Sequence, residues 1–284
     1  MIITKEIKTQ IKSIESIKKI TNAMEMVSAS KMRRSQERMY ACIPYMHKIT
    51  KICKNIAINN NNNTYFINRP IKNIGYILIT SDRGLCGGLN INVFKIILND
   101  IQKMYKLNIN HSFCVLGNKG IDFFKKYGGK LIATKEDIGY TPSINNIIGP
   151  VKVMLNAFNE GKIDCLMLVS NKFLNTMIQK PFLQKLLPIH FKNLKKNNQN
   201  NYIYETTNYS NLIDCIIVRY IESQVYKSII ENIACEQAAR MMAMKNATEN
   251  AFNIIKELKL IYNKARQAAI TQEISEIVNG AAAV

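Results

Sequence analysis

From Arg219 to Asn279 the chain runs for 61 residues without a glycine or a proline and keeps an apolar residue every three or four positions. The apolar face passes through Val225, Ile229, Ile233, Met241, Met244, Ala251, Ile255, Leu258, Ile261 or Tyr262, Ala265, Ala268, Ile274 and Val278. That spacing has a period of about 3.5 to 3.6 residues and predicts one uninterrupted helix, roughly 90 Å long at about 1.5 Å per residue. Patterns much longer than about 25 residues belong to coiled coils, membrane spans or helical repeats. A span is excluded, because Glu222, Glu231, Glu236, Arg240, Lys245, Glu249, Lys256 and Glu257 break up any stretch of about 20 apolar residues.

The amino end carries a second stripe through Ile7, Ile11, Ile14, Ile17, Ile20, Met24 and Val27, then Met39, Ile43, Met46, Ile49, Cys53 and Ile56. Residues 1–69 contain no glycine and one proline, Pro44, which is expected to kink this helix or end its first segment near Cys42 or Ile43. Eleven of the twelve glycines fall between Gly75 and Gly161, so turns are concentrated in the middle of the chain. Two amphipathic helices that lack other partners would bury their stripes against each other, giving an antiparallel coiled coil with a domain inserted between its arms. The predicted boundaries are a helix over 1–58, a loop over 59–73, a central domain over 74–213 and a helix over 214–284.

Within the central domain, Ile74–Ser81, Ser112–Leu116, Lys130–Thr134 and Asp164–Ser170 read as strands. Asn90–Tyr105, residues 120–127 and Pro150–Asn159 read as helices, and Asn171–Pro188 as a long segment without an assigned element. Alternation of this kind predicts a Rossmann-like α/β layer with a mostly parallel sheet. The turn Asp82-Arg83-Gly84-Leu85-Cys86-Gly87-Gly88-Leu89-Asn90, joining the first strand to its helix, has the look of a phosphate cradle. Gly88 is nonetheless followed by Leu89 and Asn90, not by the lysine and hydroxyl that reach phosphates and magnesium in the Walker pattern. A structural tight turn is the better reading, and Gly117-Asn118-Lys119-Gly120 reads as a common turn. No Ser/His, HExxH or Cys/His constellation points to catalysis.

Net charge is +19. Residues 1–58 hold 12 basic and 4 acidic side chains, residues 59–218 hold 19 and 9, and residues 219–284 hold 8 and 7. The excess therefore avoids the long carboxyl helix. The runs Asn59–Asn63 and Lys192–Asn201 read as solvated loops. Lys18, Lys19, Lys31, Arg33, Arg34 and Arg38 are denser and lie on an amphipathic helix, which fits either solubility or an acidic partner. Nucleic acid is disfavoured, since no aromatic residue interleaves them. Seven scattered cysteines without a CxxC pair, and three dispersed histidines, predict reduced thiols and no metal. The start MIITKEIKTQ lacks a signal-peptide core, so the chain is expected in the cytoplasm. These features alone leave open a coiled-coil scaffold or basic adaptor and, behind it, a nucleotide-binding α/β enzyme.

Several ordered blocks carry a resemblance that narrows the choice. KEIKTQIKSIESIKKITNAMEMVSASKMRRSQ, SDRGLCGGLN, GPVKVML, VSNKF, RYIESQVY, ENIACEQAARMMAMKNAT and YNKARQAAITQEISEIVNGAAAV are similar to the gamma subunits of bacterial F-type ATP synthases from end to end. The ending holds the family pattern at Ile270, Thr271, Glu273, Glu276, Gly280, Ala281 and Ala283. The resemblance implies a non-catalytic rotor shaft without a cofactor, turning inside a ring of alpha and beta subunits and coupling proton flow to ATP synthesis. The central domain would then sit beside the epsilon subunit and the c-ring, peripheral to the cytoplasmic face of the bacterial inner membrane.

Carried over residue by residue, the resemblance implies that Met24, with Lys31, Arg33 and Arg34 nearby, faces an acidic loop of a beta subunit. Arg266 and Gln267, with Thr271 and Glu273, would meet a beta-subunit catch. Tyr202, Tyr204 and Glu205 would lie near the c-ring and epsilon. Read without the family, Met24 is an ordinary core methionine and Arg266 and Glu273 are solvated charges worth under about 1 kcal/mol. The close cysteine pair of the chloroplast relatives is absent, so no thiol switch is inferred.

Overall fold

The computed structural model describes residues 2–59, 63–105, 109–191 and 209–282. Tyr202, Tyr204, Glu205 and most of the asparagine-rich runs lie outside them. The chain forms two compact units, one of Met1–Ala29 with Arg240–Val284 and one of Ser30–Ala239.

The terminal helices are α1, Ile2–Asn59, and α5, Tyr209–Ala282. Along α1, Ile7, Ile11, Thr21, Ser28, Ser35, Met39, Met46, Ile49, Cys53 and Ile56 are buried on a seven-residue repeat held without a slip, with Ala57 buried beside it at the end. A strict heptad keeps one seam facing a partner only if the helices supercoil left-handedly. The seam nevertheless departs from the apolar stripe expected at Ile17, Ile20, Met24 and Val27, all of which are exposed, Ile20 by 59%. These residues sit one position before 18, 21, 25 and 28, and one residue is about 100° of rotation on a helix. Apolarity and seam thus part company, and small hydroxyl residues take the inside. Thr21 Oγ1 lies 2.7 Å from Thr248 Oγ1, while carbonyls of Lys18 and Met244 stand ready to accept whichever proton that pair does not share.

Pro44 neither ends α1 nor divides it; the helix continues through to Asn59. Pro44 and Tyr40, whose carbonyl loses its helical donor, are both exposed, so water can replace the missing bond. In the amino-terminal unit α5 buries Met244, Ala251 and Ile255, with Leu258, Tyr262 and Ala265 half-buried against Ile7, Ile11 and Ile14 in an antiparallel arrangement. Tyr262, not Ile261, faces inward. Ala268, Ile274 and Val278, expected on the inner face, are exposed, as is every described side chain from Ile270 to Ala281.

The larger unit holds a five-stranded sheet. Its strands are β1 (Asn73–Ile79), β2 (Asn110–Leu116), β3 (Lys130–Lys135), β4 (Cys165–Phe173) and β5 (Gln179–Leu187), in the order β3-β2-β1-β4-β5. All neighbours are parallel except β4 and β5. Strand β5 fills part of the segment left unassigned by sequence. Its QKPFLQKLL pattern is lysine-rich and contains Pro181, which a ladder tolerates at an edge. Helices α2 (Leu89–Tyr105) and α3 (Asn118–Tyr127) cover one face, burying Val93, Ile97, Ile121 and Phe124 against Tyr76, Leu78 and Val115. Helix α4 (Ile144–Asn159) covers the other face together with Ile49, Cys53 and Ile56 of α1 and Ile213, Ile217 and Ile221 of α5. Burial on both faces is why NIGYILI reads as a continuous apolar run instead of an alternation. Helix α4 starts six residues before Pro150, the residue expected to open it, with Ser143 as N-cap.

Burial also sets thiol chemistry. It pushes Cys53 and Cys114 up to about 12 and raises Cys165 and Cys235, whereas Cys215 is exposed. Thiolate is the reactive form. Iodoacetamide at pH 8 should therefore modify Cys215 at least about a hundredfold faster than Cys53, Cys114, Cys165 or Cys235 in the folded chain, as followed by peptide mass mapping. Comparable labelling of Cys114 would show that the sheet core is not closed.

Candidate functional site

The sheet order reverses beside β1, and in open α/β sheets ligands enter the crevice at the carboxyl ends of the strands flanking such a switch point. Here those ends are the glycine turn after β1 and the residues Ser170–Phe173 of β4. The turn is tied to itself. Asn90 accepts the Ser81 backbone N–H at 3.2 Å and donates to Ser81 Oγ at 2.7 Å, and that hydroxyl donates to the Arg83 carbonyl at 2.8 Å. Asp82 accepts the backbone N–H groups of Asn118 and Gly139 at 3.3 and 3.2 Å. Thr80 Oγ1 accepts the Gly120 N–H at 3.0 Å, and a Cβ on Gly117 would stand 2.4 Å from the Thr80 carbonyl oxygen, so glycine is needed there for close approach.

The crevice itself is occupied by α5. Asn171 Nδ2 donates to Asn232 Oδ1 at 2.9 Å, the Phe173 N–H donates to Glu231 Oε1 at 3.1 Å, and the Cys235 thiol points to the Asn171 carbonyl at 3.8 Å. Cys86 and Leu89 of the turn pack on Cys235, with Phe173 and Ala239 alongside. A nucleotide would have to displace this helix. Sequence patterning could not show it, because Glu231, Asn232 and Cys235 read as an ordinary helix face. Among the described residues no group of three or more metal-ligating side chains could hold an ion, and no helix is long and apolar enough to cross a membrane.

What remains for function is surface. Met24, Arg266, Gln267, Thr271 and Glu273 are all exposed on the amino-terminal unit. The Thr271 hydroxyl donates to the Gln267 carbonyl at 2.9 Å, and the side chains of Arg266, Gln267 and Glu273 are exposed. The basic cluster of α1 is divided. Lys18 lies over the Phe252 ring at 4.8 Å, and Lys31 is half-buried with its Nζ 4.0 Å from the Tyr140 ring centroid. Arg38 donates to the Tyr140 carbonyl at 2.8 Å, while Arg33 and Arg34 are exposed. Lys31 and Arg38 thus anchor the loop before α4, a role that their charge alone did not reveal. Sequence reasoning also missed the exposed apolar stripe of Ile17, Ile20 and Val27 beside Met24, whose signal is its one-residue offset from the heptad.

Residues 3–284 match the protein family described as ATP synthase. ATP synthase gamma chains of Coxiella burnetii strains CbuG_Q212 and Dugway 5J108-111 are each 50% identical over 284 residues, covering 99% of this chain and 98% of theirs. The chain belongs to the ATP synthase gamma-chain family.

Solved structures of that fold include a chain of the Euglena gracilis mitochondrial ATP synthase OSCP/F1/c-ring in rotational state 3, with TM-score 0.69 and 18% identity over 99% of this chain and 94% of that one. The central stalk/c-ring structure of Tetrahymena thermophila mitochondrial ATP synthase gives 0.61 and 22%, covering 80% of this chain and 99% of that one. Gamma chains are non-catalytic subunits, and here the reason is visible: an α/β layer with a cofactor-type switch point has the crevice filled by its own carboxyl helix. Calorimetric titration of the purified gamma chain with magnesium ATP should give no heat of specific binding. Micromolar affinity would overturn the assignment of Asp82–Asn90 as a structural turn.

Proposed function

We propose that this gamma chain is the central rotor shaft of an F-type ATP synthase, coupling proton flow to ATP synthesis by presenting different faces to chemically identical catalytic subunits. The observation that carries the reading is the exposed, mostly apolar and unbroken carboxyl end of α5. Ile270, Ile274, Ile277 and Val278 have no seam to enter, with Ile277 exposed by 72%. Exposed apolar patches of this kind mark an interaction surface, and non-directional contacts allow a helix to turn within a sleeve. The alpha and beta subunits would form that sleeve. Met24, together with Ile17, Ile20 and Val27, would face a beta subunit with Arg33 and Arg34 beyond it. Arg266, Gln267, Thr271 and Glu273 would form the catch, and Tyr202, Tyr204 and Glu205 would meet the c-ring and epsilon. The complex would hold the chain at the cytoplasmic face of the bacterial inner membrane.

Coupling in this scheme is differential contact. A rotor face that binds one conformation of a catalytic subunit better than another shifts that subunit's nucleotide affinity by the difference, typically about 1 to 3 kcal/mol. No chemistry on the shaft is required. The larger unit, with its filled crevice and closed core, would act as a rigid part of the rotor.

Arg266→Ala/Gln267→Ala tests the catch. Both positions are exposed and alanine is the best helix former, so stability should change by less than about 0.5 kcal/mol and assembly should be normal. ATP synthesis and ATP-driven proton pumping in membrane vesicles should fall about fivefold, the lower end of typical coupling energies. Wild-type rates from a correctly assembled double variant would withdraw the assignment. Arg33 and Arg34, as rim charges, should act mainly on the rate of docking. Reassembly of gamma-depleted alpha–beta ring with this chain should slow as salt is raised, and rates independent of ionic strength would reduce these charges to solubility features.

A further inference from the structure

At the amino ends of the parallel strands, away from the crevice, His111 of β2 stands where β3 no longer covers its strand. Pairing with β3 begins at Ser112, whereas His111 still pairs with Ile74 of β1. Its ring is tilted 49° against that of Tyr76, with 5.9 Å between centroids. The residue is half-buried, yet both ring nitrogens are shut off from solvent and neither has a hydrogen-bond partner. Tyr76 is fully buried, and its hydroxyl donates to Asp100 Oδ2 of α2 at 2.7 Å. One carboxylate oxygen thus clips α2 to the sheet.

An imidazole placed there is under-satisfied in either form. Neutral, it leaves a donor and an acceptor unused; charged, it puts two donors and a positive charge into a dry site. Burial accordingly pushes His111 below the ordinary histidine range, and Asp100 opposes that push without cancelling it. A histidine whose folded value lies below its unfolded one stabilises fully above about pH 6.5, and that stability is lost as pH falls from there through the folded value.

The other titratable groups around it do not take up that charge. Asp164, just before β4, spends Oδ2 on the Lys72 and Asn73 N–H groups at 2.8 and 2.9 Å. The Cys165 thiol is raised, by burial first and also by Asp100 and Asp164, with Lys185 of β5 pulling the other way. Tyr76 keeps its proton, since burial and then the bond to Asp100 raise its hydroxyl. Among the described residues, the charged side chains at this end of α2, α3 and β3, namely Lys103, Lys125, Lys126 and Lys130, are exposed and basic.

We propose that Tyr76, Asp100 and His111 form an acid-sensitive latch between α2 and the sheet, holding while His111 is neutral and loosening when it takes up a proton. The imidazolium can be satisfied in two ways, and both open the layer. It reaches water, or it draws Asp100 away from Tyr76, a charge-assisted bond being stronger than one from a neutral hydroxyl. The latch belongs to the larger unit alone and does not depend on the rotor reading; in a rotor, it would make the inserted layer less stiff in an acidified cell.

Hydrogen exchange of the full chain tests the latch, with rates corrected for their intrinsic dependence on pH. Between pH 7.5 and 5.5 ordinary carboxylates stay charged. Over that range, protection of residues 97–105 and 110–113 should fall at least about threefold in wild type and less than about 1.5-fold in His111→Phe, which keeps a ring against Tyr76 without a titratable group. His111→Gln, uncharged at every pH, should be as flat, and it remains informative if phenylalanine overpacks the site. His47→Gln/His190→Gln, which leaves His111 as the one histidine of the chain's three, should respond as wild type does. In that variant the single imidazole Hε1 resonance should titrate with a midpoint below the ordinary value of about 6.5. Equal loss of protection in wild type and both His111 variants, or a midpoint at or above that value, would overturn the latch.

Discussion

Helix α5 between Tyr220 and Arg240 is buried around nearly its whole circumference, and the larger unit is organised by that burial. One side continues the seam toward α1, another closes the sheet face through Ile221 and Val225, and a third enters the crevice between β1 and β4. A surface helix has one apolar stripe; this one has polar residues buried as well, including Glu222, Ser223, Asn232, Glu236 and Gln237. Burying such groups is costly unless they are bonded: Asn232 bonds to Asn171 and Glu231 to the Phe173 backbone, both in β4, while Glu222 pairs with Arg219 of the same helix at 3.0 Å. The inserted layer is therefore attached to the helix by directional contacts as well as by packing.

The same contacts explain how a Rossmann-like layer comes to serve a mechanical role. Its switch point has the shape that usually receives a cofactor, yet the turn spends its polar groups on Asn90, Asp82 and Ser81, and the space beyond is taken by Cys235 and Ala239. Filling the crevice removes a ligand site and adds rigidity, which suits a part that transmits torque.

The seam of α1 shows a second adjustment. Hydroxyl residues at Thr21, Ser28 and Ser35 occupy heptad positions where leucine or isoleucine would stabilise more, while Ile17, Ile20, Met24 and Val27 face outward. The paired hydroxyls of Thr21 and Thr248 pin the register that an apolar seam would leave less specified. Internal stability is given up there for an apolar outer surface.

The long carboxyl helix, the inserted α/β layer, the parallel core strands and the absence of a Walker ending were legible in the sequence, because they follow from hydrophobic period, glycine placement and motif spacing, which are local. The ordered blocks that resemble the gamma subunits added the family. Three things were decided by tertiary structure. Which side of α1 is inside depended on holding a 3.5-residue period over seven heptads, and apolarity alone, read at Ile17 to Val27, pointed one residue away. Pro44 could remain within a helix because its carbonyl partner faces water. Strand β5 and the filled crevice arose from pairing and packing across long separations, Leu166 with Leu187 and Cys86 with Cys235, which no local window contains. Period and turn chemistry are written residue by residue, whereas phase, edge pairing and occupancy of a crevice exist only once distant segments meet.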